Sequence, residues 1–405
     1  MTPASWLGPR RAARLAERYG TPLYAYSARV LRNRCRALVR AFPGVALRYA
    51  MKANANPSLL RMIRTQGLGV DTVSAWEVAL ARECGFRPRS IVYSGSNPAD
   101  AELEAVHKAG VLINLDALSS LRRYGKMFRG APVSLRLNLD IGGGHHPHVI
   151  TAGPDSKFGL SPEELPEARA LIARFGLKLV GLHQHIGSGV FDLALWMEAF
   201  EALLELAAAL PGVNVLDAGG GFGVPYRPED NALDLPVWGR AIVGRMARFN
   251  ADRKKKARLV LEPGRFVVCE AGVLLARVTT VKRTRDRVFV GVDSGMHHLV
   301  RPAMYQSWHP VVTYPRREGP VERVFVVGPI CESGDVLAEE RMMVVPREGD
   351  LVVVGNAGAY GFAMASHYNL RARPAEVLAD GDRVRLIRQR ESYRDVVRTR
   401  DVKGG

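Results

Sequence analysis

Three expected strands end in residues that can do chemistry. Leu179–His185 runs into His185-Ile-Gly-Ser188, Val213–Asp217 into Gly219-Gly-Gly-Phe-Gly223, and Arg258–Leu261 into Glu262-Pro-Gly-Arg265. An imidazole able to stack on a ring, a glycine loop the size of a phosphate and a Glu/Arg pair thus arrive at the same end of successive parallel strands. None of the three is specific alone. Their common placement is.

Lys52 follows another expected strand, in Tyr49-Ala-Met-Lys-Ala-Asn54. At the mouth of a barrel a lysine loses hydration, which favours the neutral amine, and a neutral amine forms a Schiff base with an aldehyde cofactor. A lysine snorkelling to the rim is the plain alternative. Gly220, Gly221 and Gly223 leave room for backbone N–H groups to approach a phosphate, although a tight strand-to-helix turn explains them equally well. No Gly-Lys-Ser/Thr follows, and the spacing is not that of a dinucleotide loop. Glu262 could hold a pyridine nitrogen protonated, making the ring an electron sink, and Arg265 could clamp an anion; a structural ion pair would use the same residues. His183 lies two residues before His185. With His145, His146 and His148 it raises a metal reading, but no carboxylate or cysteine falls at ligand spacing nearby, and no metal is expected. Cys331, in the polar turn Cys331-Glu-Ser-Gly-Asp335, could serve as a general acid or be an incidental loop thiol. The Tyr360 hydroxyl could bind a phosphate, and Arg301 and Tyr305 share one loop.

The elements that must place these groups alternate. Short apolar runs at 45–50, 68–71, 91–94, 111–115, 132–138, 179–185, 213–217 and 258–262 are separated by helical stretches at 57–66, 75–84, 98–109, 117–128, 161–175, 191–210 and 236–251, with a helix over 27–41 before the first. Eight strands alternating with helices favour a closed parallel (β/α)8 barrel, whose reactive groups sit at the C-terminal strand ends. After residue 266 the pattern becomes strand-rich, at 267–281, 288–292, 323–327, 342–345, 351–354 and 384–387, as in a separate mostly-β domain. Thr21–Ser27 also reads as a strand that could join it. The expected division is 1–26 with the β domain, 27–266 as barrel and 267–405 as the C-terminal β domain.

At 405 residues, two domains are expected. The net charge of +17 raises nucleic acid as a partner. The basic residues are scattered arginines, however, and the one dense run, 253–258, precedes a buried-looking strand, so no nucleic-acid role is expected. No apolar run is long enough for a membrane span and no signal core opens the chain. Cys35, Cys84, Cys269 and Cys331 form no CxxC pair, which fits a reducing cytoplasm.

Together these segments resemble the fold-type III pyridoxal-phosphate decarboxylases, the ornithine/diaminopimelate/arginine group, from about Thr21 to Tyr393 and in family order. The resemblance implies pyridoxal 5'-phosphate carried on Lys52, with Asp71 in the family's Asp-x-Val-Ser-x-x-Glu segment. It implies a stacked His185, with Ser188, Gly220, Gly221, Gly223, Gly264 and Arg265 on phosphate or substrate oxygens. Glu262 would take the pyridine nitrogen, and Tyr360 would lie in the family's Gly-Ala-Tyr. It further implies a homodimer in which the Cys331-Glu332 loop enters the partner's site. Asn369 falls in a similar Tyr-Asn pair. Ala75-Trp76, residues 141–151 and His297-His298 depart from the family pattern. Substrate choice turns on the far end of the amino acid. Arg265, Arg301 and Tyr305 suit a distal carboxylate and Glu332 a distal ammonium, with Tyr360 also expected on the substrate, which points to meso-2,6-diaminopimelate decarboxylated to L-lysine. Another basic amino acid, such as D-ornithine or D-lysine, or a carboxylated polyamine is the alternative.

Overall fold

The computed structural model describes residues 6–144, 146, 151–153, 156–210 and 212–399. It divides into two compact units. One holds the chain up to Leu31, Pro225–Asn231 and everything from Val268; the other holds Arg32–Val224 and Ala232–Val267.

The first strand, β1 (Leu23–Ser27), belongs to the former unit. Eight parallel strands then close a barrel in the latter: β2 (Ala46–Ala50), β3 (Gly69–Thr72), β4 (Ile91–Tyr93), β5 (Leu112–Leu115), β6 (Pro132–Arg136), β7 (Lys178–His183), β8 (Val215–Asp217) and β9 (Arg258–Leu261), with β2 paired to β9. The (β/α)8 expectation holds, strand by strand, to within a few residues. Helices start where the sequence supplies caps. Asn56 accepts the Ser58 N–H before Pro57–Thr65, and Ser74 accepts the Glu77 N–H before Ala75–Glu83. Asp192 takes two N–H groups before Leu193–Ala208.

The barrel interior is ionic where such interiors are usually aliphatic. Arg48 replaces an apolar residue inside β2, and Arg136, His183 and Asp217 are register partners across β6, β7 and β8. All four are buried. Alternation along each strand turns their side chains to one face.

The other unit is a mostly-β sheet, in the order β14-β13-β11-β10-β1-β16-β17, with β15 on β10 and β12 on β15. Its remaining strands are β10 (Gly272–Arg283), β11 (Val288–Val292), β12 (Val311–Tyr314), β13 (Val321–Val327), β14 (Val336–Val344), β15 (Leu351–Val354), β16 (Ala375–Asp380) and β17 (Arg383–Arg388). The N-terminal β1 lies between β10 and β16, antiparallel to one and parallel to the other, as its sequence expectation required.

Several details differ from expectation. β10 starts at Gly272, not 267, because Arg265–Val268 turns helical. β14 begins at Val336; its charged Glu339-Glu340-Arg341 hides the apolar pattern, and Glu340 sits at φ +51 in a left-handed kink. β16 was not anticipated, since Ala-Glu-Val-Leu-Ala is helix-forming by composition. Burial between β1 and β17 overrides that propensity, and its Glu376, wholly buried, accepts hydrogen bonds from Tyr26 and Arg388. β12 and the helix Pro9–Tyr19 were missed as well.

Candidate active site

Six short strands of the barrel deliver charge to its C-terminal mouth. The turn Met51–Ala53 after β2 presents Lys52, whose side chain is 35% exposed and whose Nζ lies 2.9 Å from Asp71 Oδ2. Asp71, inside β3, is wholly buried. Burial and then the Glu262 charge push its carboxyl up, and Lys52 opposes them.

Glu262 follows β9. His183 Nε2 stands 3.2 Å from its Oε2. Burial pushes this carboxyl up, but His183, by charge and hydrogen bond, together with Lys52 outweighs it and holds Glu262 below the usual carboxylate range. Asp217, at the end of β8, moves the other way. Burial and the Glu262 charge push it well above the usual range. As carboxylates, Asp217 Oδ2 and Glu262 Oε1 would both be buried without a donor. A proton on Asp217 lets it donate to Glu262 and resolves both. The trio His183, Asp217 and Glu262 brings its ligand atoms within 4.8 Å, so carboxylates absent from the local sequence spacing arrive from two other strands. That corrects the spacing argument used against a metal. The trio's own hydrogen bonds nonetheless account for its arrangement.

His185 is half-buried just beyond β7. Its Nδ1 accepts the Gly220 N–H at 3.3 Å, which places the ring proton on Nε2. Burial, then Lys52 and Arg136, push its pKa well below the usual value, so the ring is neutral. The glycine loop is required by close packing. A Cβ on Gly220 would lie 2.1 Å from the Glu262 carbonyl oxygen, and one on Gly219, at φ +70, 2.6 Å from that of Gln184. Gly221 faces the Gly187 carbonyl and Gly223 the Phe191 ring in the same way. A Cβ on Gly264 would meet Ala50. Arg265 is buried and directs Nε and Nη2 at Ser188 Oγ, 3.2 and 3.0 Å away.

The β unit carries the remaining predicted residues. Arg301 is 2% exposed at the start of a short helix, Arg301–Tyr305. Its guanidinium lies 5.4 Å from the Tyr305 ring, 5.8 Å from Tyr360 and 6.0 Å from Tyr226, and donates to Ser307 Oγ at 3.1 Å. Three aromatic rings therefore lie within cation–π range of its charge. Cys331 and Glu332 are exposed on the loop between β13 and β14. Arg301, Tyr305 and Tyr360 come together; Cys331 and Glu332 form a second group.

Reasoning from sequence missed Asp217, Arg48, Arg136 and Tyr226, and it took His183 as a metal question. Arg48 carried a readable signal, a lone cation inside an apolar strand run. His145 and His148 lie outside the described residues.

Asp71 Oδ1 is a buried acceptor without a donor, at a mouth that also offers the Glu262 carboxylate, an amine, a neutral imidazole and a guanidinium-serine pair. That donor set fits an aldehyde-bearing pyridine with a phosphate.

A family model, the pyridoxal-binding domain of pyridoxal-dependent decarboxylases, matches residues 28–269. The chain is 40% identical to the diaminopimelate decarboxylase of Methanothermobacter thermautotrophicus, over 98% of this chain and 95% of the relative. It is 37% identical to that of Aquifex aeolicus, over 95% and 92%. Among solved structures, a diaminopimelate decarboxylase from M. jannaschii in co-complex with L-lysine gives a TM-score of 0.89 at 31% identity, covering 96% of this chain and 94% of that one. The Helicobacter pylori enzyme complexed with L-lysine gives 0.88 at 30% identity, over 96% and 98%. With a barrel, a β unit and a near full-length match of this kind, the chain belongs to the pyridoxal-dependent decarboxylases, in the diaminopimelate decarboxylase branch.

Proposed function

We propose that this chain decarboxylates meso-2,6-diaminopimelate to L-lysine and carbon dioxide, with pyridoxal 5'-phosphate held at the barrel mouth. The observation that carries the reading is the near full-length identity of 40% with a diaminopimelate decarboxylase. The ionised Glu262 beside Lys52 and Asp71 supports it. Lys52 would hold the cofactor's aldehyde carbon, Glu262 its ring nitrogen and His185 a ring face. Ser188, Arg265 and the loop Gly219–Gly223, with Tyr360, would take the phosphate. When bound, the cofactor supplies a sink for the electron pair left by departing carbon dioxide.

The protein's own work is charge and placement. His183 and the protonated Asp217 keep Glu262 ionised, so it can stabilise a proton on the nitrogen it faces. Arg301, buried among its rings, takes the distal carboxylate, and Glu332 takes the distal ammonium. Cys331 then gives its thiol proton to the carbon that lost carbon dioxide, and the resulting thiolate is reprotonated from solvent. On this reading Cys331 and Glu332 act from a second copy of the chain, so a homodimer is the working unit. The cytoplasm is the proposed compartment. Among the described residues the cysteines form no disulfide, and no helix is long and apolar enough to cross a membrane.

The test is carbon dioxide release from meso-diaminopimelate by purified protein with added pyridoxal phosphate, beside L-lysine, D-lysine, L-ornithine and D-ornithine. Rapid release from diaminopimelate alone is expected. Release only from another substrate would keep the cofactor reading and overturn the substrate.

A further inference from the structure

The loop that bears Cys331 is held at its base and at its tip. At the base, Asp335 is 3% exposed and accepts the Met296 N–H at 2.5 Å and the Ile330 N–H at 2.7 Å. Gly295 and Gly328 make room for it. A Cβ at either would lie 2.4 or 2.2 Å from its carboxylate oxygens. This peg fixes where the loop starts and leaves the direction of the thiol open.

The tip has its own device. Asn369 and Leu370 are consecutive left-handed residues, at φ +53 and +56. Asparagine tolerates that region, whereas leucine enters it only when the surroundings compel it. The turn presents two side chains to the loop. The Tyr368 hydroxyl donates to Glu332. Asn369 Oδ1 accepts both the Cys331 N–H, at 3.3 Å, and the Cys331 S–H, at 3.4 Å. The backbone N–H fixes which end of the amide faces the loop, and that end carries only lone pairs.

We propose that Asn369 is the positioning residue of Cys331, holding the thiol aimed through the two hydrogen bonds its Oδ1 accepts. The inference rests on the reading of Cys331 as proton donor. The titratable neighbours are Glu332 on the same loop and Tyr368 across from it, with Arg371 just beyond and donating to the Pro329 carbonyl. None of them bonds the sulfur through an acceptor as Asn369 does.

The thiol reports on this directly. Cys35, Cys84 and Cys269 are buried, so iodoacetamide labelling of the cofactor-loaded full chain follows Cys331, with Cys331→Ser as background. Asn369→Gly keeps the left-handed turn and removes the acceptor; Asn369→Asp keeps the acceptor and adds negative charge. Labelling at one fixed pH is expected to run fastest in Asn369→Gly, slower in wild type and slowest in Asn369→Asp, whose carboxylate is the stronger acceptor for the S–H. Each step would be about threefold or more, since the reagent reaches the sulfur only when it leaves its acceptor. A merely structural role would speed both variants alike. That outcome, or no change in either, overturns the inference. Cys331→Ala separates the two readings. If it decarboxylates at the wild-type rate to the same product, the donor reading fails whatever the labelling order; if it is impaired and the order is absent, the Asn369 inference alone fails.

Discussion

The barrel mouth and the β unit hold their functional groups by opposite means. In the barrel, Asp71, Asp217 and Glu262 are buried together and their charges set one another: Glu262 is driven down while Asp71 and Asp217 are driven up. In the β unit, Cys331 and Glu332 stand exposed, each with its own side-chain partner above a backbone peg, and Arg301 is caged by rings. One region builds a field and the other builds a geometry. Substitutions in the barrel should therefore act through protonation, and those in the β unit through position.

Arg301→Ala tests the geometric half with the largest effect. A buried cation that pairs with a substrate carboxylate cannot be replaced by solvent. kcat/KM for diaminopimelate is expected to fall by about 3–5 kcal/mol, with Arg301→Lys recovering part of it because charge returns without the planar guanidinium. Wild-type kcat/KM in Arg301→Ala would move the distal carboxylate elsewhere. Asp217 tests the field. Asparagine offers an N–H where the protonated acid offers its O–H, so Asp217→Asn should stay within a few-fold of wild type. Asp217→Ala removes a hydrogen bond to a charged group, worth roughly 1.5–3 kcal/mol, and should lower kcat by about 10–100-fold. Equal damage from both would mean that Asp217 works as a carboxylate.

The same contrast explains what could be read from sequence. The barrel was legible because a βα alternation repeats along the chain, and Lys52, Glu262 and Arg265 stand at strand ends where such folds do chemistry. The Asp217-Glu262-His183 network was not, because its members are tens of residues apart and meet only when the barrel closes. In the β unit, β16 was hidden by helix-forming residues and β14 by its charged middle. Cys331 was legible as a candidate acid from its polar turn, and its place in a partner's site only through the family likeness. Its Asp335 peg and its Asn369 partner depend on glycine clearances and left-handed turns that no local pattern spells out.

Stability against pH gives a gentler test of the comparison. In the β unit, burial holds His297 and His298 neutral, with pKa values lowered from 6.5 to about 4 and about 3. Their rings are tilted by 44° with centroids 3.7 Å apart, and Arg371 opposes protonation of both. The unfolded chain takes up these protons first, so stability is present above 6.5 and is lost as pH falls toward 4. His297→Asn should flatten that acid limb in urea unfolding followed from pH 7 to 4. An unchanged slope would show that the folded state can charge His297 without cost.

Glu77 should show the mirror image in the barrel, with the smallest effect. Its Oε2 accepts the Val73 N–H at 2.8 Å, closing the N-terminus of the helix Ala75–Glu83. Burial pushes its carboxyl up from 4.5 to about 7, the Val73 N–H opposes this, and the Asp71 charge adds to it. The unfolded chain releases this proton above 4.5 while the folded chain keeps it to about 7, so here stability falls as pH rises through that window. Glu77→Gln keeps an oxygen for Val73 and has no proton to lose. Its melting temperature relative to wild type should therefore be higher at pH 8 than the same difference measured at pH 5. A difference that is the same at both would mean that the folded barrel ionises Glu77 as readily as water does, and that its field does not reach the helix beside Lys52.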